Sequence, residues 1–120
     1  MSKHPIVHVE ISSKDRLVSG KFYNELFDWK IEQMPEMSYA TYDTGGEVGG
    51  GFNPVGDDYP AGTVMIYIGT DDIDASLAKA QKLGGKILVP KSEIPGFGWF
   101  GIFADPTGNK IGLYTALNPR

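Results

Sequence analysis

From Ile6 to Ile11 apolar and polar side chains take turns, with Ile6, His8 and Glu10 on one face and Val7, Val9 and Ile11 on the other, which predicts a strand. The period then lengthens. Leu17 to Phe27 carries helical spacing, with Leu17, Phe22, Leu26 and Phe27 expected to cluster on one face and Ser13 or Asp15 placed to cap the start. Short β-forming runs follow at about Trp29–Gln33, Ser38–Asp43 and Val48–Asn53, each bounded by Pro, Gly or Asp.

The same order then restarts. Thr63–Ile68 reads as a strand, and Ile73, Leu77, Ala80 and Leu83 predict an amphipathic helix with caps among Asp71–Asp74 and a stop at Gly84-Gly85. Strands follow at about Lys86–Val89, Trp99–Ala104 and Lys110–Thr115. With an offset of about 56 residues, Asp15 falls on Asp71 and Lys30-Ile31 on Lys86-Ile87. The pattern predicts an α+β fold of two βαβββ modules, at about residues 5–54 and 62–116 of a single domain spanning 1–120. They would form a curled mixed β-sheet with helices on its outer face and an open concave cleft suited to a small ligand.

Composition narrows the function. A formal net charge of −4 with no Lys/Arg run argues against nucleic acid or an anionic membrane as partner. With no cysteine there is no disulfide, thiolate metal site or cysteine nucleophile, as suits a reducing compartment. No apolar run reads as a signal peptide or a membrane span, so a soluble cytoplasmic protein is expected.

Three separated segments carry a family resemblance. Asp105-Pro106-Thr107-Gly108-Asn109-Lys110-Ile111-Gly112-Leu113-Tyr114 is a tight turn feeding a short apolar strand. Phe22-Tyr23-Asn24-Glu25-Leu26-Phe27-Asp28-Trp29 is similar to a first-helix signature of the form F-Y-x-x-L-G-[FW], with Phe27-Asp28 where a glycine often ends the helix. His8 precedes it at the matching distance. Over essentially its whole length the chain resembles the vicinal-oxygen-chelate superfamily, the group of glyoxalase I, extradiol dioxygenases and the fosfomycin and bleomycin resistance proteins.

The resemblance implies a four-ligand metal site, of which only His8 is kept. The second position falls at Gly49, the third at Met65 or Val64, and the fourth, normally a glutamate, at Gly112. Glu47 has the strand parity to stand in as a displaced carboxylate, but His8 with Glu47 makes two ligands, short of a catalytic set. No metal or other cofactor is therefore expected, and His8 and Glu47 are the residues to hold one if it binds.

His8 and Glu10 are the candidate catalytic pair. His8 is either a pocket base or a histidine bonded within the sheet; Glu10 is either a pocket carboxylate of raised pKa or a solvated residue at the sheet rim. Met34, Met37 and Met65 with Tyr39, Tyr67 and Tyr114 would make an adaptable lining. Phe97 and Trp99, in the loop before the seventh strand, would either clamp an apolar ligand or pack on a second subunit. Met65, Tyr67, Phe97, Trp99 and Tyr114 are accordingly the candidate ligand-binding residues.

The glycines at 45–46 and 49–51 lack the spacing of a phosphate loop and read as a strand that lets another group approach closely. The Gly56–Gly62 segment reads as a connector rather than a lid. The expected function is a metal-free homodimer holding an apolar or aromatic small molecule. The alternatives are lyase, isomerase or dioxygenase chemistry using His8 as base or metal ligand, and a groove that serves assembly alone.

Overall fold

The computed structural model describes residues 3–57 and 59–117, so Asp58 of the connector lies outside the described residues. Its elements run β1 (Ile6–Ser13), α1 (Arg16–Phe27), β2 (Lys30–Met34), β3 (Tyr39–Asp43), β4 (Gly49–Pro54), β5 (Val64–Gly69), α2 (Ile73–Lys82), β6 (Lys86–Ile94), β7 (Gly98–Ala104) and β8 (Lys110–Ala116). The chain divides into two compact units, Val7–Met65 and Met1–Ile6 with Ile66–Arg120. Each has the βαβββ order that the duplicated pattern predicts, and the α+β class is as expected.

In the Val7–Met65 unit, β4 runs parallel to β1, with Glu10 opposite Gly51, and β3 lies antiparallel between β4 and β2. The other unit repeats this. β8 runs parallel to β5, and β7 lies antiparallel between β8 and β6. A strand's side chains alternate, so each sheet offers one face to its own helix and the other away from it.

Under α1 lie Ala40, Tyr42 and Phe52, joined by Ile11, Tyr23, Trp29 and Ile31. Four of these are aromatic and stack in sequence. Tyr23 meets Trp29 at 5.1 Å between ring centroids, Trp29 meets Tyr42 at 4.6 Å, and Tyr23 meets Phe52 at 5.7 Å. Tyr42 donates its hydroxyl to the Val9 carbonyl (2.7 Å), so its polar end is satisfied. Burial and the nearby Tyr23 and Glu10 push that phenol up to about 12, and it stays neutral.

Helix α1 presents a different face from the one its apolar spacing implies. Leu17, Phe22, Leu26 and Phe27 are each more than half exposed, while Gly20 is buried and Tyr23 turns inward. The reason is close approach: a Cβ at Gly20 would stand 2.8 Å from Ile31 Cγ2. The helix settles on its glycine, and the larger side chains are rotated outward. Asp15 caps it, accepting from the Leu17 and Val18 amides (2.9 and 3.4 Å).

Helix α2 follows its pattern more closely. Ile73 and Leu77 are buried with Leu113, and Asp72 caps the helix through the Ala75 amide (2.9 Å). Leu83, expected on the apolar face, sits at the C-cap and is 70% exposed. β6 runs five residues past its expected end and through Pro90, with irregular pairing between Val89 and Ser92. It ends its unit's strand order, where a missing N–H is tolerated.

The glycines of β4 meet the close-approach role expected of them. A Cβ on Gly50 would collide with the Val9 carbonyl and the Tyr42 ring. Gly50→Ala is expected to lower unfolding stability in urea by at least about 2 kcal/mol, since backbone as well as side chain must yield. Gly46→Ala, which meets only the Thr44 hydroxyl at 3.5 Å, should change it little.

Candidate functional site

On the face of the Val7–Met65 sheet turned away from α1, alternation brings His8 and Glu10 from β1, Tyr39 from β3 and Asn53 from β4 together. The Tyr39 hydroxyl donates to Glu10 Oε2 (2.8 Å), and Asn53 Nδ2 donates to Glu10 Oε1. His8 Nε2 stands 2.9 Å from the Tyr39 oxygen and 3.3 Å from Glu10 Oε2. Because the Tyr39 proton is committed to Glu10, the geometry assigns the Nε2 proton to His8, which donates toward the phenol and the carboxylate.

Gly51 makes this possible. It lies opposite Glu10, and a Cβ there would overlap the Tyr39 ring and hydroxyl. The space left by a missing side chain is filled by the phenol of the neighbouring strand.

Glu10 is buried, with 8% of its surface exposed, so it is not the solvated rim residue that one reading of the sequence allowed. Nor is its pKa raised. Burial alone pushes the carboxyl up, but hydrogen bonds from His8, Tyr39 and Asn53 and the charge of the imidazole outweigh it and hold the group below its ordinary value. Glu10 is therefore a fixed carboxylate that orients its partners, rather than a proton donor near neutrality. His8, with 29% of its side chain accessible, is the reachable member.

The remaining candidates divide. In the second unit, β7 and β8 turn Trp99, Phe103 and Leu113 toward α2. Trp99 is half-buried there with Lys91 Nζ 5.3 Å from its ring centroid, so it is not an exposed clamp. The cause is parity: Gly101, two residues on, points a would-be Cβ at Ile73 and Leu77. Tyr67 and Gly112 share the opposite face, with the Tyr67 ring lying over Gly112. Tyr114 has the parity of Gly112 and donates to the Phe97 carbonyl (3.0 Å), while Phe97 is 45% exposed. Met65 is buried.

The donor set does not fit a divalent ion. Glu47 is exposed in the turn before β4, outside the strand whose parity made it a stand-in. Both Glu10 oxygens already accept hydrogen bonds, and a glutamate at 112 would have to displace the Tyr67 ring. Among the described residues, no three of His, Cys, Asp or Glu gather to share a metal. Also among those residues, no helix is long and apolar enough to cross a membrane.

Tyr39 was legible only as lining, and Asn53 not at all. Their roles follow from the register that sets Gly51 against Glu10, which no residue spacing reveals.

Paired βαβββ units with a histidine on the first strand define a protein of the vicinal-oxygen-chelate class. The chain belongs to the Glyoxalase/Bleomycin resistance protein/Dioxygenase superfamily, whose model matches residues 5–113. It is 30% identical over 115 residues to a Mycobacterium bovis protein named as a glyoxylase, CFP32, covering 90% of this chain and 44% of that protein. It is 24% identical over 122 residues to the anthracycline biosynthesis protein DnrV of Streptomyces peucetius, covering 88% and 44%. The chain thus spans less than half the length of these relatives. Among solved structures, a hypothetical protein from Bacillus halodurans superposes with a TM-score of 0.77 at 14% identity, covering 99% of each chain. Methylmalonyl-CoA epimerase from Mycobacterium tuberculosis superposes with a TM-score of 0.72 at 14% identity, covering 94% of this chain and 88% of that one.

The depressed Glu10 pKa carries a pH signature. The unfolded chain takes up this proton first as pH falls, so Glu10 contributes stability above about pH 4.5, its ordinary value, and loses it through the lowered folded value. In urea unfolding from pH 7 to pH 3, the acid-limb loss should be shallower in Glu10→Gln than in the native protein.

Proposed function

We propose that this chain is a metal-independent small-molecule-binding member of the superfamily, working as a homodimer, and that its ligand is held at the His8–Tyr39–Glu10 face. The ligand is apolar or aromatic in body and presents one hydrogen-bonding group to His8. The carrying observation is the buried Glu10 carboxylate with every printed donor directed at it: Tyr39, Asn53 and His8. Such a network is oriented before any ligand arrives, so little ordering remains to oppose binding. With the carboxylate oxygens engaged, a ligand meets an imidazole and a phenol rather than an open metal-binding group.

The same network supports a second reading, a proton-transfer enzyme. A histidine held against a fixed carboxylate is arranged to accept a proton, because the carboxylate stabilises the imidazolium. The step is removal of an acidic C–H proton beside a carbonyl: the C–H bond breaks, an N–H bond forms, and the electron pair moves onto the carbonyl oxygen. Return of the proton to carbon completes an isomerisation.

The test is a fragment screen by protein-observed NMR on metal-free protein, with elemental analysis of the sample as purified. Bound fragments should shift the amides of His8, Glu10, Tyr39, Gly51 and Asn53, and Tyr39→Phe should weaken the best binder about tenfold, a loss of about 1.4 kcal/mol. One divalent ion per chain, or shifts confined elsewhere, overturns the reading. Solvent deuterium entering a bound carbonyl compound, and failing to enter with folded His8→Ala, favours the enzyme; binding without exchange favours the carrier.

A further inference from the structure

A second polar recess opens in the same unit, at the chain turn between β1 and α1. It has a volume of about 290 Å³ and is lined by Ser13, Lys14, Asp15, Arg16, Ser38 and Asn53, among others. That is near the lower end of the range for small-ligand pockets, about 300–1,000 Å³. Its lining carries two cations and one carboxylate. The carboxylate, Asp15, is occupied with the first amides of α1, and the Ser13 hydroxyl is bonded to Ser19 (2.6 Å). The groups that remain to meet a ligand are the Lys14 ammonium, the Arg16 guanidinium, the Ser38 hydroxyl and the Asn53 amide.

Arg16 adds an independent observation. Its Nε is buried and has no hydrogen-bond partner, one of two such side-chain atoms among the described residues; the other is Gln33 Oε1. A buried guanidinium N–H without an acceptor is costly, and an oxyanion is the acceptor that suits it best, through paired charge-assisted hydrogen bonds. Asn53 connects this recess to the site already described. It lines the pocket while its Nδ2 donates to Glu10 Oε1.

We propose that this recess is an oxyanion subsite, receiving a phosphate or carboxylate group of the molecule whose other end lies at His8, Tyr39 and Glu10. The inference rests on the ligand-binding reading above and adds that the ligand is an anion. A phosphate and a carboxylate share the chemistry Lys14 and Arg16 recognise, and separate probes tell them apart.

The experiment titrates inorganic phosphate and, separately, acetate into the full chain, at low and high sodium chloride, while following backbone amides by NMR. The expected result is saturable shifts at residues 13–16, 38 and 53 with at least one probe, weakened by salt. The stronger probe identifies the group. Lys14→Gln, at an exposed position that should leave folding intact, and Arg16→Gln should together weaken binding about tenfold or more, and His8→Ala should leave it unchanged. Shifts absent with both probes, or unmoved by Lys14→Gln and Arg16→Gln, overturn the subsite. Fragments that still bind at His8 in that event leave the ligand-binding reading standing. Pocket shifts without fragment binding at His8 would remove that reading and keep the oxyanion site.

Discussion

The parallel pairing of β1 with β4 is the constraint on which the Val7–Met65 unit depends. Neighbouring parallel strands with matched pleat send paired residues the same way, so one register sorts two sets of side chains at once. Ile11 and Phe52 go together under α1, and Glu10 and Asn53 go together to the opposite face. A slip of one residue would send the carboxylate among the stacked aromatic rings and Phe52 to the polar face. The glycines of β4 hold that register from both sides. Gly50 admits Tyr42 under the helix, and Gly51 admits Tyr39 over the carboxylate.

The polar cluster is costly to bury and is retained by complete pairing. A carboxylate removed from water at Glu10 would normally protonate or destabilise the fold. Three donors from three side chains prevent both, and the cost of each polar group is set against another. This arrangement also decides what the site can do. Its fixed member is the acid and its exposed member is the base, so chemistry or recognition passes through His8 while Glu10 stays charged.

Much of the fold was legible. The two periods, 2 for strands and 3.6 for helices, restart halfway along the chain, and short turn signals bound each element. The failures share a cause. Leu17, Phe22 and Leu26 have the spacing of a buried face, yet α1 seats itself by Gly20, because closeness of approach to Ile31 outweighs apolar spacing. Trp99 looked exposed because its loop is rich in glycine and proline, but one position of strand parity carries it to the α2 core. Of the site, His8 and Glu10 follow from alternation within one strand. Tyr39 and Asn53 depend on pairing between strands, and a linear pattern contains no register.

The Tyr67 ring over Gly112 bears on how this chain can change. A glutamate at 112, the fourth position that the family resemblance assigns, meets the base of that ring rather than its flexible tip. Neither residue can be altered toward a metal ligand set independently of the other. Substitution at 112 is obstructed while the tyrosine stays, and loss of the tyrosine first leaves a gap above a bare glycine. Such sign epistasis works as a ratchet: each single step toward a metal-binding ancestor runs downhill in fitness of packing, so a lineage that has crossed to this pair is held on the metal-free side by steric history.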